Sequence, residues 1–129
     1  MIAIRVLLVD DSPLFLGSVA RVLATDRSLE IVGRVLSGPA ALEYIAQSSC
    51  DLVLLDLSMP EMNGLEVAQH LRRLPNPPRI VLLTLEDSPE HRAAAAACTD
   101  GFVSKPQAAT ELLPLIRSLF PIRKPATSA

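Results

Sequence analysis

Four apolar runs in this chain of 129 residues hand over directly to side chains with chemistry. Ile4–Val9 leads into Asp10-Asp11, Leu52–Leu55 into Asp56, the run from Ile80 ends in Thr84, and Gly101–Ser104 leads into Lys105. If these runs are parallel strands, their carboxyl ends share one edge of a sheet, and that edge is where open α/β folds bind ligands. Three carboxylates, a hydroxyl and an ammonium then converge. Carboxylates at close quarters repel, and one of them keeps its proton unless a cation intervenes. Mg²⁺ suits such a cluster, because it takes oxygen ligands, keeps several waters and is commonly held by one or two carboxylates plus a phosphoryl oxygen. Asp56 is then left to attack phosphorus as a nucleophile and form an acyl phosphate. Lys105 can pair with one phosphoryl oxygen and the Thr84 hydroxyl can donate a hydrogen bond to another.

The elements that must position these groups follow from periodicity. Strand-length apolar runs (Ile4–Val9, Glu30–Val35, Leu52–Leu55, Ile80–Thr84, Gly101–Ser104) alternate with helical stretches near Pro13–Ala24, Pro39–Gln47, Gly64–Leu74, Pro89–Cys98 and Ala109–Leu119. That alternation predicts an α/β fold, a doubly wound parallel sheet with helices on both faces. Most of the runs are continuous in Val, Ile and Leu, as strands buried on both faces should be. Ser37-Gly38-Pro39 and Ser88-Pro89 are clear helix starts. Pro114 conflicts with the last helix, which must start late or bend. After Phe120, PIRKPATSA has no apolar period and reads as a frayed tail.

Half of the residues are hydrophobic and a fifth are charged, which excludes disorder for the chain as a whole. Twelve Lys and Arg against fourteen Asp and Glu give a formal net charge of −2, so no overall positive field draws the chain to nucleic acid or an anionic membrane. The apolar runs fall far short of the roughly 18 residues a membrane span needs. The start MIAIRVLLVDDS lacks the pattern of a signal peptide, and a cytoplasmic location is expected. Cys50 and Cys98 match no metal-ligand spacing and read as small core thiols.

Taken together, VLLVDDS, LVLLDLSMPEMNGLE, IVLLT and GFVSKP resemble the receiver domain of bacterial response regulators over nearly the whole chain. The resemblance implies a flavodoxin-like sheet of order 2-1-3-4-5, with residues 1–120 as the receiver and 121–129 as a flexible tail. It implies that Asp56 is the phosphoacceptor, and that Asp11 and Asp56 bind Mg²⁺ directly with the carbonyl of Ser58. Asp10 would position the metal through water, while Thr84 and Lys105 would bind the phosphoryl group. By the same resemblance Lys105-Pro106 would be joined by a cis bond, and Phe102 would turn inward as Thr84 moves toward the phosphate. The implied donor is a histidine kinase or histidine phosphotransfer protein. The chain would be a switch rather than an enzyme, read by a downstream protein or a second copy through the fourth helix, fifth strand and fifth helix.

Plainer roles compete for some of these residues. Asp10-Asp11 can start a helix, and Phe102 can be an ordinary core aromatic. Asn63-Gly64 and Met59-Pro60 suit a turn and a loop brace, and His70 and His91 suit a charged surface. Several departures from the family pattern matter. Leu85 stands where a small residue is usual after Thr84, which predicts a slower-decaying acyl phosphate. Ser58 and Glu86 occupy two further positions that tune lifetime in the family. Cys98 stands where glycine is common, so it is strained if that site needs positive φ.

Three other functions compete with the switch. The chain could be the receiver part of a DNA-binding regulator, although no recognition helix follows Phe120 and direct nucleic-acid binding is not expected. It could be an aspartyl-phosphate phosphatase, but the second acid such enzymes carry two positions after the nucleophile is Ser58 here. A phosphate-independent receiver is disfavoured by the intact acids, Thr84 and Lys105.

Overall fold

The computed structural model describes residues 3–86 and 88–121. Five strands, β1 (Ile4–Val9), β2 (Leu29–Val35), β3 (Leu52–Asp56), β4 (Arg79–Thr84) and β5 (Gly101–Ser104), alternate with five helices. The helices are α1 (Pro13–Leu23), α2 (Gly38–Gln47), α3 (Gly64–Arg72), α4 (Pro89–Cys98) and α5 (Ala108–Leu119). All strand pairs are parallel, in the order β2-β1-β3-β4-β5. This is the flavodoxin-like arrangement the resemblance implied.

Side chains alternate across a strand, so a strand covered on both faces must be apolar at every position. Val6 and Leu8 of β1 pack with Leu52 and Leu54 of β3 against α1 and α5. Leu7, Val9, Val53 and Leu55 pack on the other side with residues of α2, α3 and α4. β2 departs from the expected continuous burial. It lies at the sheet edge with Glu30 and Arg34 exposed, and its register against β1 slips between Val6 and Leu7. Gly33 follows the slip, and a Cβ there would come within 2.9 Å of the Tyr44 ring. The Tyr44 hydroxyl donates to the Val32 carbonyl at 3.1 Å and seals the irregularity.

Helix starts follow their capping chemistry. The hydroxyls of Ser12, Ser37 and Ser88 each accept a backbone N–H of the first turn, with proline just inside the helix. Asn63 and Glu66 form a reciprocal capping box at α3. The helix ends differ from a glycine-terminated design. Thr99 closes α4 in extended conformation, its hydroxyl donating to the Ala95 carbonyl at 2.7 Å. Cys98 therefore needs no positive φ and is unstrained, Glu61 being the one non-glycine residue with positive φ among those described.

α5 does not start late, and Pro114 lies inside it. It runs from Ala108 to Leu119 and is preceded by a 3₁₀ turn over Lys105–Gln107. The proline is exposed, and so is Thr110, the residue whose carbonyl loses its intrahelical donor. Residues 122–129, and with them nearly all of the expected tail, lie outside the described residues. No helix among the described residues is long and apolar enough to cross a membrane.

Candidate functional site

The sheet register builds the site. Val9 of β1 lies beside Leu55 of β3, so the next residues, Asp10 and Asp56, leave the sheet at one level. Asp56 in turn lies beside Leu83, and Thr84 beside Ser104, which carries Lys105 to the same edge. Carboxylate oxygens of Asp10, Asp11 and Asp56 fall within 4.8 Å of one another. Asp10 and Asp56 are buried and Asp11 is exposed. The turn after β3 is held tightly: the Gly64 N–H donates to the Leu57 carbonyl at 2.8 Å. A Cβ on Gly64 would lie 2.3 Å from the Asp56 carbonyl oxygen, so this close approach of two backbones needs glycine.

Lys105 enters the acid cluster. Its Nζ is 2.7 Å from Asp10 Oδ2 and 3.3 Å from Asp56 Oδ1, with the side chain 11% exposed. Burial, and then the charge of Asp10, push the Asp56 carboxyl up to about 6, against the pull of Lys105 and of the Ser58 N–H 3.4 Å away. Asp10 uses its two oxygens differently. Oδ1 accepts the Ser12 N–H at 2.8 Å, whereas Oδ2 is buried and, among the described residues, meets the Lys105 ammonium as an ion pair without an aligned hydrogen bond. Three converging carboxylates, one of them with raised proton affinity, together fit a divalent cation.

Of the remaining expected residues, Ser58, Thr84 and Leu85 line or border this pocket and Phe102 does not. Its volume is about 270 Å³, and Asp11, Ser12, Asp56, Ser58, Leu85, Glu86 and Lys105 form its walls. Thr84 is fully buried, and its Oγ1 accepts the Glu86 N–H at 2.9 Å. Leu85 is 74% exposed and stands at the rim of the pocket. Ser58 and Glu86 meet across the mouth at 3.5 Å, and Glu86 reaches His91 at 3.7 Å. Phe102 lies away from the acids, half-buried against α4, with the Arg92 guanidinium 4.7 Å from its ring centre.

Pro106 corrects one expectation. No cis peptide bond occurs among the described residues, so Lys105-Pro106 is trans. Lys105 and Pro106 open the 3₁₀ turn, where proline's missing N–H has no intrahelical acceptor to lose.

Sequence reasoning missed Phe15, whose ring centre lies 4.4 Å from Lys105 Nζ. A signal for it existed: it is the third residue of a Ser12-capped helix that starts directly after the acidic pair, and side chains of a first turn lean back toward the helix start. Asp100 was also missed. It is a structural clamp at the start of β5, accepting the Ile80 N–H and pairing with Arg72 and Arg79.

Comparison with known proteins agrees with this geometry. The family model of the response regulator receiver domain matches residues 6–117. A protein-glutamate methylesterase/protein-glutamine glutaminase from Nocardioides sp. is 36% identical over 137 residues, covering 95% of this chain and 37% of that protein. Response regulator UvrY of Escherichia coli is 32% identical over 118 residues, covering 91% of this chain and 54% of its own. The solved receiver domain of the response regulator NarL from Mycobacterium tuberculosis superposes with a TM-score of 0.87 at 34% identity, covering 95% of this chain and all of that one. The chain thus spans only about a third to a half of the length of these two full-length relatives. With a family match over most of its length and a shared strand order, the chain belongs to the response regulator receiver domains, a family of phosphoacceptor switches.

Proposed function

We propose that Asp56 accepts a phosphoryl group from the phosphohistidine of a histidine kinase or histidine phosphotransfer protein, and that the resulting aspartyl phosphate biases the loops around it. The observation that carries this reading is the convergence of the Lys105 ammonium on two buried carboxylates at the mouth of an open pocket. An Asp56 oxygen forms the new P–O bond while the P–N bond to the donor imidazole breaks, and the imidazole nitrogen leaves with the electron pair. Asp11 and Asp56, with the Ser58 carbonyl, would hold Mg²⁺, and Asp10 would help through water. When bound, the ion neutralises charge on the transferring group. Lys105 then exchanges its carboxylate partners for a phosphoryl oxygen, and Thr84 donates its hydroxyl to another.

The reading is of a switch rather than an enzyme. Thr84 sits between the pocket and the β4–α4 connection, where its oxygen already holds the Glu86 N–H. Drawing Thr84 toward a phosphoryl oxygen strains that link and favours a different arrangement of the connection. Phe102 is the proposed partner in that change, and the face formed by α4, β5 and α5 is the proposed output surface for a downstream protein or a second copy. The cell compartment proposed for this exchange is the cytoplasm.

Borohydride reduction of the phosphorylated protein, followed by peptide mapping, tests the assignment. Reduction of an aspartyl phosphate converts that side chain to homoserine. Homoserine at position 56 is the expected result, and homoserine at another acid would overturn the choice of nucleophile.

A further inference from the structure

Lys105 carries a flexible four-carbon stem and a strongly hydrated charge, so two carboxylates alone do not fix where its ammonium rests. The structure supplies a third contact in the Phe15 ring, with its centre 4.4 Å from Nζ. The ring's own position is tied to the same acid. Asp10 Oδ1 accepts the Ser12 N–H at 2.8 Å, Ser12 Oγ accepts the Phe15 N–H at 3.3 Å, and Lys105 Nζ returns to Asp10 Oδ2 at 2.7 Å. The four residues close a ring of contacts. The void that Phe15 lines together with Asp10, Leu8, Leu16, Leu54 and Leu83 is only about 10 Å³, at or below what one water needs. With the Lys105 side chain 11% exposed, its ammonium meets the aromatic face largely withdrawn from water, the setting in which cation–π attraction is strongest.

The geometry points to Phe15 as a positioning residue for the phosphoacceptor reaction, one that holds the Lys105 ammonium in the pocket through its ring face. This inference rests on the reading of Asp56 and Lys105 given above. It assigns Phe15 no contact with the phosphoryl group: its role is to restrict where Lys105 can be when that group arrives. A space-filling role would require only bulk, whereas this role requires the electron density of the ring.

Ring fluorination separates the two. The full chain is prepared with Phe15 replaced by mono-, di- and trifluorophenylalanine, alongside Phe15→Trp and Phe15→Leu. Each form is phosphorylated by acetyl phosphate with Mg²⁺, and unfolding midpoints are measured in parallel. The rate constant is expected to fall stepwise with fluorination, to be largely kept in Phe15→Trp, and to drop by about two- to thirtyfold in Phe15→Leu. Rates that do not change along the fluorinated series would overturn the inference.

A second readout does not depend on labelling. The ε-methylene protons of Lys105 should show an upfield ring-current shift that disappears in Phe15→Leu. If that shift is present while the unmodified protein takes up no phosphoryl group, the acceptor reading fails and the placement of Lys105 by Phe15 stands. If labelling is normal and the shift is missing, the placement fails and the acceptor reading stands.

Discussion

On one face of the sheet, α1 buries Leu16, Val19, Ala20 and Leu23, and α5 buries Ala108, Leu112 and Ile116; on the other, α4 buries Ala95 alone. The parts of the site divide along the same line. Phe15 comes from α1, and Lys105 lies on the turn that leads into α5, so these groups around the acids are fixed to the well-anchored helices. Leu85 and Glu86 lie on the connection into α4, a helix whose run of alanines supplies intrinsic helix propensity rather than burial. A switch needs both kinds of support. The acceptor chemistry requires fixed geometry, while an element that changes place must come from the less stable part of the fold.

The comparison breaks first at Leu112, which is fully buried under α5. Leu112→Ala is expected to cost about 2–5 kcal/mol in urea unfolding, and a loss below about 1 kcal/mol would mean that α5 is no better anchored than α4.

Next in size is the acid cluster itself. With the Asp56 carboxyl raised to about 6 from an ordinary 3.8, the folded protein without metal binds more protons than the unfolded chain between those values. This contribution to stability is fully present below about pH 4 and is lost as pH rises through about 6. Asp56→Asn should therefore stabilise the metal-free protein by roughly 1–3 kcal/mol at pH 7 and by little near pH 4. A gain that is the same at both pH values would exclude this electrostatic cause.

Smaller effects are expected at α4 and the connection that leads into it. Ala95→Gly should cost about 1 kcal/mol, and amide exchange in α4 should be faster than in α5 even without the substitution. Leu85→Ala should move the unfolding midpoint least, within about 0.5 kcal/mol. It should shorten the acyl phosphate lifetime by about twofold, since most of the leucine already faces solvent. Unchanged phosphorylation and dephosphorylation rates would show that Leu85 does not narrow the entrance.

The chemistry-bearing acids, Thr84 and Lys105 were legible because each stands at or just beyond the end of an apolar run, and parallel register brings such ends to one edge. β1, α4 and β5 have the residues expected from periodicity and capping, and the other boundaries move by one or two residues. Contacts between distant segments were not legible. The approach of Lys105 to Phe15 depends on how α1 and the turn after β5 are seated, and the Ser58–Glu86 contact on the course of two loops. The slip in β2 arises where Tyr44 presses on Gly33, a tertiary cause that a strand's own pattern does not carry. Pro106 teaches the same lesson, because its isomer is a property of the turn it enters and not of the dipeptide.

Intact-mass spectrometry after incubation with acetyl phosphate tests the central claim most directly, on the unmodified protein and on Asp56→Asn, each with and without Mg²⁺. One phosphoryl adduct that requires Mg²⁺ and is absent from Asp56→Asn is the predicted result. No adduct under conditions that label a control receiver, or an adduct that persists in Asp56→Asn, would contradict the assignment of Asp56 as phosphoacceptor.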